Sequence, residues 1–408
     1  MPNKCNEQNK SNELDKYSKN DITKFVGKSY DTAERPKRVF LVGTRDHKTT
    51  REEADSLARE LAGLARTLDL EIAAQETVFV REKQPKFGMG SGKVQELAEK
   101  AEALKADCFI FDWDLSPAQQ RNWEKLAGIP AVDRQELIIR IFAQGAATRE
   151  AELQVELAEL SWSLPRLSHK YIDLSRQRGG RYGTRGAGET RLETDRRLIE
   201  RRIHHLKKEL EEVRRQRGVR RNLREKQEIP VCAIVGYTNA GKSSLLNALT
   251  GAGVRAENKL FATLDAVSRR FDPGTGRAVL LVDTVGFIRK LPHALVDAFR
   301  ATLEEVRLAD LLILVLDASA PDADRFYETT LSILRELGAG EIPHITVLNK
   351  IDCLESPELI ADLRARYRDG IPVSALNHSG LEELGARLGA AFPQVLPSRY
   401  TKPSCVSP

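Results

Sequence analysis

The run Gly236, Tyr237, Thr238, Asn239, Ala240, Gly241, Lys242, Ser243 constrains this chain more than any other feature. It directly follows the apolar stretch Val231 to Val235 and directly precedes a helical segment, Ser244 to Leu249. A glycine-bounded loop between strand and helix wraps phosphates with its backbone N–H groups. The lysine reaches the outer phosphate oxygens, and the following hydroxyl offers an oxygen to Mg2+. With glycine near 7% of residues, the pattern arises by chance in roughly one unrelated chain in a hundred. The loop therefore predicts an α/β domain whose ligand lies at the carboxyl ends of a mainly parallel sheet.

Downstream spacing agrees. Apolar runs at Val279 to Val282, Leu311 to Leu316, Ile345 to Leu348 and Ile371 to Ser374 read as further strands of this domain. Asp283, Thr284, Val285 and Gly286 follow the first of these, where a carboxylate can reach a metal through water and the Gly286 amide can face a terminal phosphate. Asn349, Lys350, Ile351 and Asp352 follow another. Asp352 suits the two edge donors of guanine, a pair that adenine lacks, while Asn349 faces N7 and the Lys350 stem covers the ring. Ser374, Ala375 and Leu376 fit the backbone contact to the guanine oxygen. Asp-x-x-Gly and Ser-Ala are common in isolation; their order after the phosphate loop makes them informative. Phe261, Ala262, Thr263, Leu264 and Asp265 fall where a switch segment must lie, and Thr263 is the candidate second hydroxyl on Mg2+. These residues predict binding of GTP and GDP, with Lys242, Thr263 and Gly286 acting on the reacting phosphate. Ser243 and Thr263 are the metal ligands and Asp283 acts through water. Phe287 stands where many small GTPases carry a water-orienting glutamine, which predicts slow intrinsic turnover.

At 408 residues the chain is long enough for two or three domains. The sequence predicts an α/β multidomain protein. A polar tail covers 1–36, an N-terminal α/β domain 37–133, an antiparallel helical hairpin with a basic connector 134–228, a P-loop domain 229–392, and a short tail 393–408. In the first domain Val39 to Val42 and Cys108 to Phe111 read as strands, and Thr50 to Leu68, Lys93 to Lys105 and Ser116 to Ala127 as helices. In the hairpin Leu153, Leu157, Leu160 and Leu164 keep helical spacing, and Leu192, Ile199, Ile203, Leu206, Leu210 and Val213 keep heptad spacing. Five cysteines lack metal or disulfide spacing, and the longest apolar run is far too short to span a membrane. A cytoplasmic monomer is the expectation.

Charge is unevenly placed. Residues 165–228 hold 20 Lys and Arg against 10 Asp and Glu, so this stretch is +10 in a chain of net charge +5. Within it Arg176, Arg178, Arg181, Tyr182 and Arg185 mix cations, glycines and one aromatic ring, which suits phosphate contact and base stacking in structured RNA. Gly88, Gly90, Gly92 and Lys93 form a weaker glycine motif, read first as a tight turn or RNA-facing loop and second as another phosphate site.

Taken in order, the phosphate loop, Phe261 to Asp265, Asp283 to Phe287 and Asn349 to Asp352 resemble the HflX family of ribosome-associated GTPases. The resemblance extends to Phe87–Lys93 and to the connector Gly183–Arg197, and covers about Arg38 to Phe392. Ala187 and Arg191 depart from the family's usual Pro and Gln. The resemblance implies cytoplasmic binding to the large ribosomal subunit and its rRNA, linked to subunit separation or ribosome rescue under stress. Phe287 in the glutamine position and Asn239 in the phosphate loop also point to cation-assisted hydrolysis, since in some related GTPases an asparagine at this position helps to hold a potassium ion, K+, beside the phosphates. Two rival readings are an ATP-driven RNA remodeller using the first block and a nucleotide-controlled helical scaffold.

Overall fold

The computed structural model describes residues 37–167, 185–226, 229–253, 259–264, 266–290, 300–367 and 370–392. The chain divides into two compact units, Met1–Gln144 with Glu152–Glu212, and Gly145–Ala151 with Val213–Pro408.

The first unit is built on strands β1 (Arg38–Arg45), β2 (Glu71–Phe79), β3 (Cys108–Phe111) and β4 (Ala131–Asp133), all parallel, in the order β2-β1-β3-β4. Helices α1 (Arg51–Thr67), α2 (Ser91–Ala103) and α3 (Pro117–Ala127) connect them, and α4 (Arg134–Gly145) follows β4. Capping sets the starts. Thr50 accepts the Glu53 N–H at α1, and Ser116 with Gln119 forms a reciprocal capping box at α3 ahead of Pro117. The sequence reading missed β2 and β4. The outer strand β2 carries the exposed polar residues Glu71 and Gln75, and β4 has only three residues, so neither has a long apolar run.

Phe40, Phe109, Phe111 and Trp123 anchor the core of this sheet. Against it lies a buried polar cluster. The Arg134 guanidinium donates to Asp112 at 2.9 Å and to Glu60, which gives Asp112 a structural partner. Asp133 caps α4 by accepting the Glu136 N–H at 2.8 Å and takes an Arg166 N–H at 2.8 Å. Burial, helped by Glu136, pushes the Asp133 carboxyl up to about 6, with Arg166 opposing.

The glycine motif at 88–93 is a turn running into the start of α2 in this unit. Gly88 has φ +82°, and a Cβ there would lie 3.2 Å from the Trp113 indole, so a side chain would be both strained and crowded. Phe87 and Met89 point into the core. Lys93 Nζ, the group a phosphate would need, already pairs with Glu76 at 2.5 Å and Glu96 at 2.8 Å.

Helices α5 (Arg149–Ser163) and α6 (Arg185–Lys226) follow. Leu153, Leu157 and Leu160 share one buried cluster with Ile199, Leu206 and Leu210, and Arg202 makes a paired contact to Glu156 at 2.7 and 2.8 Å. The heptad stripe thus buries a seam between two helices. Helix α6 begins at Arg185, so the later part of the connector is helical rather than loop. Arg176, Arg178, Arg181 and Tyr182 lie outside the described residues, and Arg185 is the first residue of α6.

The second unit holds a six-stranded sheet in the order β10-β9-β8-β5-β7-β6. It comprises β5 (Val231–Gly236), β6 (Val267–Phe271), β7 (Val279–Asp283), β8 (Leu311–Asp317), β9 (His344–Asn349) and β10 (Ile371–Pro372). Only β6, paired to β7, is antiparallel. The sequence reading missed it because Ser268, Arg269 and Arg270 are all exposed on this edge. Helices α7 (Lys242–Thr250), α8 (Arg300–Arg307), α9 (Ala323–Glu336), α10 (Pro357–Arg366) and α11 (Leu381–Ala391) complete the unit. Buried cores that include Leu245, Ile313 and Leu384, and Ala233, Leu314 and Leu334, hold it together.

Candidate functional site

The carboxyl ends of β5, β7, β8 and β9 open onto one cleft of about 430 Å3, lined among others by Lys242, Ser243, Thr263, Gly286, Asn349, Lys350 and Asp352. The parallel sheet puts these ends on one edge, so residues more than a hundred positions apart meet there.

At one end of the cleft are the phosphate-type groups. Strand β5 ends at Gly236 and α7 starts at Lys242, leaving five residues to form the loop. Lys242 is buried, and its Nζ donates to Tyr237 O at 2.9 Å and to Gly236 O at 3.3 Å. Burial pushes its ammonium down to about 8, opposed by the charge of Asp283. The Ser243 hydroxyl lies 2.6 Å from Thr263 Oγ1 and donates to Asp283 Oδ2 at 2.6 Å.

Asp283 is fully buried, and desolvation raises its carboxyl above the usual range, with Lys242 as the main opposing charge. Its Oδ1 has no hydrogen-bond partner. A buried carboxylate with a bare oxygen beside two hydroxyls fits a small divalent cation with oxygen ligands, and the donor set matches the chemistry of Mg2+. Among the described residues no group of three or more His, Cys, Asp or Glu lies together so as to hold a metal ion, and the Ser243 and Thr263 hydroxyls stand beside the one carboxylate of Asp283.

The segment after Asp283 is laced to the loop. Thr238 N–H donates to Phe287 O at 2.8 Å, and Phe287 N–H donates to Gly236 O at 3.0 Å. A Cβ on Gly286 would lie 2.7 Å from Thr238 Cα and 3.0 Å from Lys242 Nζ, so only glycine lets this backbone approach so closely. Phe287 is 1% exposed and packs with Ala233, Val235 and Val306. Its side chain belongs to the core. Thr284 donates to Ile234 O at 2.7 Å and Val285 is buried, which makes both supports of the strand end. Thr238 Oγ1 accepts the Phe261 N–H at 2.7 Å, while Leu264 is buried and Asp265 lies outside the described residues.

At the other end are the groups that the sequence leads one to expect will read a base. Asp352 accepts from the Ser374 hydroxyl, and that bond is the main reason its carboxyl sits below the usual range. Leu376, 77% exposed, lines the cleft near Ala375. Asn349 differs from the sequence reading, which gave it only a contact to N7. Its Nδ2 donates to Ala240 O at 2.9 Å and its Oδ1 accepts the Ala375 N–H at 3.1 Å. The amide therefore ties the phosphate loop to the Ser374–Leu376 loop, leaving one Nδ2 hydrogen beyond these two bonds.

Sequence reasoning missed Asp317, Ser319 and Lys259. Asp317 ends β8 and holds Lys350 Nζ at 2.7 Å, fixing the Lys350 stem along the cleft wall. Ser319 donates to Asp317 and lines the cleft with Lys259. An acid closing a buried apolar strand on the ligand-bearing edge was the available signal for Asp317.

Three family models match the chain: "GTP-binding GTPase N-terminal" over residues 55–143, "GTP-binding GTPase Middle Region" over 145–224 and "50S ribosome-binding GTPase" over 231–350. Curated relatives include the GTPase HflX of Magnetococcus marinus, 46% identical over 88% of this chain and 83% of that protein. Another is the GTPase HflX of Escherichia coli K12, 43% identical over 90% of this chain and 82% of that protein. Among solved structures, a GTP-binding protein from Sulfolobus solfataricus in complex with GDP is 27% identical, with a TM-score of 0.44, over 87% of this chain and 98% of that one.

Proposed function

The chain belongs to the HflX family of GTPases and hydrolyses GTP, and we propose that it does so in the cleft described above while bound to the large ribosomal subunit in the cytoplasm, separating or rescuing stalled ribosomes. The observation that carries the nucleotide reading is the meeting in one cleft of the Lys242, Ser243, Thr263 and Asp283 cluster with Asp352 and its Ser374 partner.

In the reaction, water attacks the γ-phosphorus and the bond to the β–γ bridging oxygen breaks. GDP keeps the bond's electron pair, and the phosphate keeps the attacking oxygen. Lys242 exchanges its two carbonyl contacts for phosphate oxygens and opposes their charge as it shifts toward GDP. Ser243 and Thr263 would hold Mg2+, with Asp283 acting through water, and the ion would supply further positive charge against the phosphates. The Gly286 N–H faces the γ-phosphate. With Phe287 committed to the core, the side chain in the usual glutamine position takes no part in orienting water. Asn239, a left-handed residue with φ 62°, would hold K+ beside the phosphates, where the ion would supply charge in place of that contribution.

A charged Lys242 is required by the phosphates, yet burial lowers its affinity for the proton in the free protein. Binding above about pH 8 therefore takes up a proton, and nucleotide affinity falls as pH rises through 8. Calorimetry of GDP binding between pH 7 and 9, in two buffers of different ionisation enthalpy, should show proton uptake growing across this range. An affinity independent of pH, with no uptake, would refute it.

The ribosome reading rests on the +10 segment at residues 165–228, through which long-range attraction to RNA is directed, and on the family. Turnover with and without purified large subunits tests it, run in KCl and in NaCl at one ionic strength. Turnover should rise with large subunits and be faster in KCl. Replacing Arg178, Arg181 and Arg185 together by Glu should remove the ribosomal stimulation and flatten the salt dependence of binding, while GDP affinity stays within about twofold. Unchanged cosedimentation of this variant would shift the RNA contact elsewhere.

A further inference from the structure

Tyr237 occupies the second position of the phosphate loop, yet its side chain is turned away from the cleft and is 4% exposed. Its ring stacks on Phe326 of α9 with centroids 4.1 Å apart and planes 14° from parallel. Its hydroxyl accepts the backbone N–H of Arg289 at 2.9 Å. The Arg289 guanidinium lies 5.7 Å from the centre of the same Phe326 ring. Through its backbone, Tyr237 also bridges Phe287 in parallel and accepts the Lys242 ammonium on its carbonyl. One residue thus touches the lysine of the phosphate loop, the segment just beyond Gly286, and a helix of the surrounding core.

We propose that Tyr237 is a positioning residue for hydrolysis, its hydroxyl fixing the backbone beyond Gly286 so that the Gly286 N–H stays aimed at the γ-phosphate. The inference rests on the GTP-hydrolysing reading of the cleft. Gly286 has no side chain, so nothing of its own anchors it, and its direction is set by what holds the residues after it. Phe287 is held by the core and by two backbone bonds to the loop, which fixes one point. Arg289 supplies the second, and two points are needed to define the direction of a strand end. The stack on Phe326 keeps the Tyr237 ring in one plane, so the hydroxyl is offered at a fixed place. Neither the hydroxyl bond to Arg289 nor the ring stack on Phe326 enters the base or phosphate cradle. Their loss should therefore act on the chemical step and leave binding alone.

The test is Tyr237→Phe, which removes the hydroxyl and keeps the ring. Losing one hydrogen bond of this kind should lower kcat for GTP about three- to tenfold, while KM for GTP and Kd for GDP stay within about twofold. Phe326→Leu, which frees the ring but keeps the hydroxyl, should show the same split between kcat and KM. A Tyr237→Phe protein with the parental kcat would overturn the proposal, as would a parallel loss of kcat and GDP affinity, which would mark a merely structural role in the loop. The parent is assayed alongside: no turnover by the parent counts against the hydrolytic reading itself, whereas an active parent with an equally active variant counts against Tyr237 alone.

Discussion

Asparagine at position 352 is expected to weaken GTP binding by about 3–5 kcal/mol, roughly a hundred- to several-thousandfold in Kd. The Asp352 carboxylate is held by the Ser374 hydroxyl, which keeps it ionised and turned toward the cleft. A fixed anion can accept both edge N–H groups of guanine in charge-assisted bonds. Asparagine would place an amide N–H against one of them, replacing an attraction with a clash of donors. Xanthine offers an oxygen there, so xanthosine triphosphate should bind Asp352→Asn better than it binds the parent. Fluorescent-nucleotide titration of both proteins with both bases checks this. A variant that lost GTP without gaining the xanthine nucleotide would point to damage in the loop and not to base reading.

Alanine at position 286 is expected to act almost wholly on catalysis, lowering GTP turnover about a hundredfold or more, the scale of losing one well-aimed donor to a developing anion. The added methyl would meet Thr238 Cα, an atom of the loop backbone that cannot move aside cheaply, and would crowd Lys242 Nζ as well. The segment must then withdraw, breaking the Thr238 to Phe287 bond and carrying the residue-286 N–H away from the γ-phosphate. GDP lacks that phosphate, so its affinity should change much less. Single-turnover hydrolysis together with GDP titration separates the two effects, and equal losses in both would refute the assignment.

The residues that meet in the cleft could be picked out from the sequence because the chemistry expected of them admits few residue types. A phosphate cradle needs Gly and Lys between strand and helix, and a guanine reader needs a carboxylate after a buried strand. What stayed hidden was set by neighbours distant in the chain. Nothing near Asn349 reveals that its amide spans Ala240 and Ala375. Nothing near Tyr237 reveals that its ring leaves the cleft for Phe326. Strand β6 escaped because an exposed edge of Ser268, Arg269 and Arg270 carries no apolar signature, and β4 because three residues are too few for periodicity to register. The hairpin seam was readable from its leucine spacing, whereas the start of α6 at Arg185 was not, since two glycines at 186 and 188 read as loop.

The Asn349 amide has a thermodynamic consequence for how the ligand is sensed. Because one side chain braces the loop that meets phosphates and the loop that meets the base, stiffening either loop stiffens the other. A nucleoside alone and a pyrophosphate alone would each have to order that shared brace, whereas the intact nucleotide orders it once. The joined molecule therefore gains more than its two fragments do separately, and the surplus measures the rigidity that Asn349 transmits. A site so braced is expected to answer to the whole guanine nucleotide more than to free phosphate or free base.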